Sequence, residues 1–155
     1  MLKISTKTSV NLSIIMSIAF FAVIVVGAVI LPAYVASAVE LPLDRLPENA
    51  KYDKYILISL GYAALAIVTS INIMLLKLLF RVRVDLVFTE ESISLIRFIS
   101  WCAILLGAVF FILGFYFLIS YFAAFACLFL GICLRVVKNV IEKATEIKAE
   151  NDFTI

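Results

Sequence analysis

Histidine is absent from this chain. That removes the commonest general base and the commonest metal ligand. No Asp or Glu lies near the centre of an apolar run. Proton-coupled carriers use an ionisable group inside the membrane, so that class loses support. The five glycines are scattered and form no phosphate-binding loop. Cys102, Cys127 and Cys133 make no C-x-x-C pair and sit in apolar stretches, where they read as small packing residues. Charged side chains are only 15% of the chain and leave a net +2, too weak to suggest direct nucleic-acid binding. No enzyme is expected, and no cofactor or metal is implied.

What is abundant is hydrocarbon. The chain is 65% hydrophobic, against roughly half for an ordinary globular domain. Three runs carry no charge: residues 12–39, 55–76 and 98–134. The third would reach roughly 55 Å as one helix, and a bilayer core is about 30 Å thick. It therefore reads as two spans. The expected break is at residues 118–121, around Ser120, with Gly114 as the second candidate because glycine is a poor helix former. The reading is an all-α integral membrane protein with four transmembrane helices, over about 10–35, 55–80, 96–117 and 122–140, and a cytoplasmic helical tail over 141–155.

Four spans put both termini on one side. Ten Lys and Arg then lie on that side and three, Arg45, Lys51 and Lys54, on the other. Cytoplasmic segments carry the Lys/Arg excess, so both termini are expected in the cytoplasm. Tyr34, Tyr52, Tyr55, Tyr116 and Tyr121 fall near the outer ends of spans and Trp101 near the inner end of the third, as aromatic belts require. Tyr62 lies about two turns deeper. Ala36-Ser37-Ala38 resembles a signal-peptidase site, but the preceding apolar run is longer than a signal h-region, and a retained first span is the preferred reading.

The most polar interior groups are Thr69, Ser70 and Asn72. Asn72 can line a solute path, but an amide among apolar spans more often bonds a neighbouring helix. Lys77 is placed to snorkel. Ala123, Cys127 and Gly131 share one face of the last span, and Gly107 and Gly114 one face of the third. Small residues let backbones approach, so these faces suggest an antiparallel pair of spans three and four, with a homo-oligomer interface as the alternative. Residues 37–55 form the only sizeable external segment, and they read as a connector, with sensing of an external ligand or peptide as the alternative.

Two cytoplasmic stretches carry most of the pattern. In "RVRVDLVFTEESISLIR", residues 81–97, Thr89 is a good N-cap and Glu90 and Glu91 suit the first turn of a helix. Phe88 and Ile93 can form a hydrophobic staple. The preceding "VRVDLVF" alternates and reads as extended or a short strand. From Arg135 onward, Val136, Val137, Val140, Ile141, Ala144 and Ile147 fall on one arc of a helix, broken only by Lys148. Lys138–Glu142 and Lys143–Glu146 are spaced to pair. Asn151 can take the left-handed conformation that closes a helix. Glu150, Asn151, Asp152, Phe153, Thr154 and Ile155 are the candidate partner-docking residues.

"FTEESISLIRFISW" followed by "LRVVKNVIEKATEIKAENDFTI" resembles a bacterial membrane family known as domain of unknown function 2975. Its members look like small four-span proteins ending in a basic-then-acidic helix and a closing E-N-D-[LF]-T-[IV]; Phe153 stands where leucine is more usual. Genes of this family often lie beside a small helix-turn-helix regulator. The resemblance implies a membrane partner for such a regulator, and it brings no catalytic residues. The expected function is a membrane anchor or sensor for a cytoplasmic helix-turn-helix regulator, in the bacterial cell membrane and in contact with its lipid bilayer. The alternatives are a small oligomeric transporter or channel using Asn72, and a structural membrane-stress protein.

Overall fold

A computed structural model describes the backbone of residues 6–40, 50–84, 86 and 88–152. Four helices account for nearly all of it: α1 (Thr6–Glu40), α2 (Ala50–Arg83), α3 (Glu90–Leu113) and α4 (Ile119–Asp152). Each is long and apolar enough to cross a membrane. This is expected where no water is available to satisfy an open backbone.

The helices form an open row. α1 packs on α2, α2 on α3 and α3 on α4. Among the described residues α1 does not approach α3 or α4, and α2 does not approach α4. α3 is therefore flanked on both sides, and its buried stripe runs through Ile93, Ile96, Ser100, Ala103 and Gly107 at helical spacing. α1 and α4 are edge helices whose outward residues, such as Val29 and Phe125, are exposed. Lipid is as apolar as these side chains, so their exposure costs nothing in a bilayer.

α1 and α2 come together around a proline. Pro32 lies inside α1 and has no N–H to give the carbonyl four residues earlier, at Ala28. The Tyr62 hydroxyl of α2 donates to that carbonyl at 3.2 Å. One residue before Tyr62, Gly61 faces Leu31; a Cβ there would come within 2.8 Å of the Leu31 side chain. The missing Cβ lets α2 lie close enough for Tyr62 to reach. Tyr62 thus sits deeper than the other tyrosines because it serves a backbone acceptor and not the lipid headgroups.

The α3–α4 pair is the most closely packed. A Cβ on Gly131 would meet the Ser100 carbonyl oxygen at 3.2 Å and the Ile104 nitrogen at 3.3 Å, and one on Gly107 would meet the Ala124 carbonyl oxygen at 3.2 Å. The Ser100 hydroxyl donates to the Gly131 carbonyl at 2.8 Å. The small-residue faces of spans three and four do meet within one chain. On α4 Ala124 and Gly131 are buried, while the expected Ala123, one position before Ala124, is half-buried.

Three sequence expectations are corrected. The break between spans three and four is at Gly114–Leu118, not at residues 118–121: α3 stops at Leu113, and Ser120 and Tyr121 are already in α4. Gly114 is right-handed, at φ −61°, so it is not there for an unusual backbone angle. Its place is sterically set, since a Cβ would come within 2.6 Å of the Tyr121 ring. That ring packs edge-on against Phe111 and Phe115. Second, the helix of α2 runs through Arg83, so Val82 and Arg83, the first two residues of "VRVDLVF", are helical and not extended. Third, α4 does not close at Asn151 but continues through Asp152. Phe153, Thr154, Ile155 and residues 41–49 of the outer connector lie outside the described residues.

Candidate functional site

Polar chemistry is concentrated at the end of the row where α2 hands over to α3 and where α4 leaves the span. Thr89 caps α3 as its spacing predicts, accepting from the Ser92 N–H. Ile93 is buried, but Phe88 stays 47% exposed, so the expected staple leaves Phe88 largely uncovered. The tie that holds the corner is Arg81. Its Nε donates to Ser92 Oγ at 3.1 Å, its Nη2 to Thr89 Oγ1 at 3.0 Å, and its Nη1 pairs with Glu91. Ser92, fully buried, donates its own hydroxyl to the Leu86 carbonyl at 2.8 Å. One planar guanidinium thus binds the last turn of α2 to the first turn of α3, a geometry that an ammonium cannot reproduce. Glu90 and Glu91 offset the cation at the positive end of α3. A groove of about 560 Å³ opens beside this corner, with Lys77 and Arg81 at its polar end and Met74, Leu95 and Phe98 along its wall.

Asn72 ties α2 to α1. It is 3% exposed, and it closes a reciprocal pair with Ser17 of α1. The Ser17 hydroxyl donates to Asn72 Oδ1 at 2.6 Å, and Asn72 Nδ2 donates to the Ser17 carbonyl at 3.1 Å. Thr69 and Ser70 donate back to their own helix, to Leu65 and Ala66. Asn72, Ser13 and Ser17 border a groove between α1 and α2 whose other walls, Leu12, Met16, Phe20, Leu75 and Leu79, are apolar.

On the other side of α3, a second polar group forms with α4. Lys138 and Glu142 pair one turn apart, as expected from sequence, and Arg97 of α3 joins Glu142 at 3.4 Å. The Glu142 carboxyl is held below the usual carboxylate range, chiefly by its hydrogen bond with Lys138. Partial desolvation opposes this, and the charges of Lys138 and Arg97 add to it. Arg135, one turn before Lys138, lies over the Trp101 ring with its guanidinium carbon 4.2 Å from the centroid, a cation–π contact. Sequence reasoning placed Trp101 at the interface but did not pair it with Arg135; that pairing depends on the register of α3 against α4.

Beyond this group α4 runs on. At 34 residues it is about 51 Å long, roughly 20 Å more than a bilayer core. Val136, Val140 and Ile147 are each more than half exposed along it and Ile141 and Ala144 are half-buried, so much of the apolar stripe expected from sequence is left uncovered among the described residues. Of the candidate docking residues, Glu150 is exposed on α4, and the backbones of Asn151 and Asp152 are helical.

No curated protein matches this chain, and no solved structure does. Residues 42–155 match a family described as "Protein of unknown function (DUF2975)". The match begins after α1 and takes in α2, the Arg81 corner, α3 and the whole of α4, so the chain belongs to that family.

Proposed function

We propose that this protein is a multi-pass protein of the bacterial cytoplasmic membrane, with both termini in the cytoplasm, and that its role is to hold a partner and not to catalyse. The partner proposed is a small helix-turn-helix regulator, held at the membrane by the part of α4 that extends past the bilayer. The observation that carries this reading is the continuous helix through Asp152 with Val136, Val140 and Ile147 uncovered. An amphipathic helix of this length is marginal alone and is stabilised by what covers its apolar face. The excess of Lys and Arg on the same side supports a cytoplasmic location.

The test is co-sedimentation of a helix-turn-helix regulator, of the kind the family resemblance implies, with membranes carrying the wild type, the V140E/I147E variant, or a chain lacking residues 151–155. The reading expects membrane association with the wild type and its loss with V140E/I147E. Association that survives both changes removes α4 as the dock. A transporter or channel reading has less support, because Asn72 spends its amide on Ser17.

A further inference from the structure

Three cations, Arg97, Arg135 and Lys138, converge with Trp101 and Asn139 on one depression of about 240 Å³ between α3 and α4. Only one carboxylate serves them. Glu142 pairs with Lys138 and Arg97, and Arg135 has no carboxylate partner among the described residues. It is held instead by the face of Trp101. Three positive charges against one negative leave the depression at +2. Lys138 is mostly withdrawn from solvent, with 14% of its side chain exposed. Cations drawn together in this way repel one another unless an anion lies between them.

Position narrows the anion. Trp101 and Arg135 sit where the apolar parts of α3 and α4 give way to charge, at the level of lipid headgroups. The depression has room for several water-sized groups at about 30 Å³ each. Basic pockets between membrane helices at this depth bind phosphate-bearing headgroups. A guanidinium fork and an ammonium together suit phosphate oxygens, and the Asn139 amide adds a neutral donor.

We propose that the Arg97–Trp101–Arg135–Lys138 depression is a binding site for the phosphate of an anionic phospholipid in the adjoining leaflet. The phosphate sits between Arg135 and Lys138, and Asn139 donates to it. Arg97 and Glu142 close the rim, and Trp101 keeps Arg135 in place. The site is separate from the uncovered stripe of α4 and does not depend on any protein partner.

Trp101 is the single tryptophan of the chain, so its emission reports on this site alone. The full chain in a neutral detergent is titrated with a short-chain phosphatidylglycerol, a short-chain phosphatidylcholine, and inorganic phosphate. The expected result is a saturable change in Trp101 emission with phosphatidylglycerol only. The midpoint rises roughly fivefold in K138Q and again in R97Q/K138Q, following the usual contribution of one Lys or Arg near an anionic headgroup. K138Q leaves the Arg135–Trp101 contact intact, so its baseline emission also reports correct folding. K77Q removes a cation from the α2–α3 groove instead and leaves the midpoint unchanged. A response to inorganic phosphate at the same midpoint overturns the lipid assignment in favour of a free anion. An equal response to phosphatidylcholine, an equal shift in K77Q, or no saturation overturns the site itself.

Discussion

The Tyr62 hydroxyl donates to the Ala28 carbonyl at 3.2 Å, and Ala28 is the residue whose helical partner would have been Pro32. A side chain from α2 therefore completes the backbone bonding of α1 where proline breaks it. Y62F leaves that carbonyl unpaired in an apolar setting and is expected to cost about 1 kcal/mol. P32A restores an N–H four residues on, so Y62F in that background is expected to cost less. A double-mutant cycle in detergent unfolding measures the difference. Equal costs of Y62F in both backgrounds would separate the two residues.

The Asn72–Ser17 pair should behave as a structural clasp. N72L and S17A are each expected to destabilise, with a coupling energy of roughly 0.6 kcal/mol and at most about 1.7, the range seen for hydrogen bonds between membrane helices. Additive costs with no coupling would release Asn72 for another role.

Glycines differ by what their Cβ would strike. At Gly131 the obstacles include the Ser100 carbonyl and the Ile104 nitrogen, and backbone cannot move aside without parting α3 from α4. G131A is expected to cost about 1–3 kcal/mol as overpacking, offset in part by the better helix propensity of alanine. At Gly61 the nearest atoms are all in the flexible Leu31 side chain, so G61A is expected to be milder. Unfolding midpoints for the two variants in one detergent give the order, and a reversed order contradicts the packing described for α3 and α4.

Much of this was legible in the sequence. Charge-free runs of adequate length marked the membrane helices, and Thr89 with Glu90 and Glu91 marked the start of α3. The Lys138–Glu142 pair followed from spacing within one helix. What was missed depends on two helices at once. Glycine's poor helix propensity makes Gly114 only the second candidate for the break, whereas the feature that requires glycine there, the Tyr121 ring, lies seven residues away across the turn. The alternation in "VRVDLVF" reads as extended or a short strand, but α2 carries its helix through Val82 and Arg83, and Arg81 just before them spends its guanidinium on Thr89, Ser92 and Glu91. Asn151 has the composition of a helix stop, yet α4 continues past it. The Tyr62 bond did have a sequence signal: a proline within a span and a tyrosine too deep for the interface.

The Arg81 corner should reject a like-charged substitute. R81K keeps the charge but cannot hold Ser92, Thr89 and Glu91 in one plane. R81K and R81Q are both expected to destabilise by about 1–2 kcal/mol, with R81K recovering little. Thermal unfolding in detergent compares them. Full recovery by R81K would show that charge alone matters at the corner.

Glu142 confers a pH dependence of known sign. Its carboxyl is depressed below the usual value, chiefly through Lys138. Its stabilising contribution is therefore complete above the ordinary glutamate range near about 4.3, and it is lost as pH falls through the depressed value of the folded protein. The wild type is expected to lose stability relative to E142Q on acidification below about pH 4. Thermal unfolding of both proteins from pH 7 to pH 3 isolates the effect, and parallel curves would remove Glu142 from the account.

The docking role proposed for α4 depends on the side of the membrane its extension faces. The direct measurement is labelling of intact cells with a membrane-impermeant thiol reagent, on chains in which the native cysteines are replaced and one is placed at Glu48 or at Lys148. The account predicts labelling of E48C in intact cells, and labelling of K148C only after the membrane is opened. Labelling of K148C in intact cells would place the α4 extension outside and contradict both the topology and the docking role.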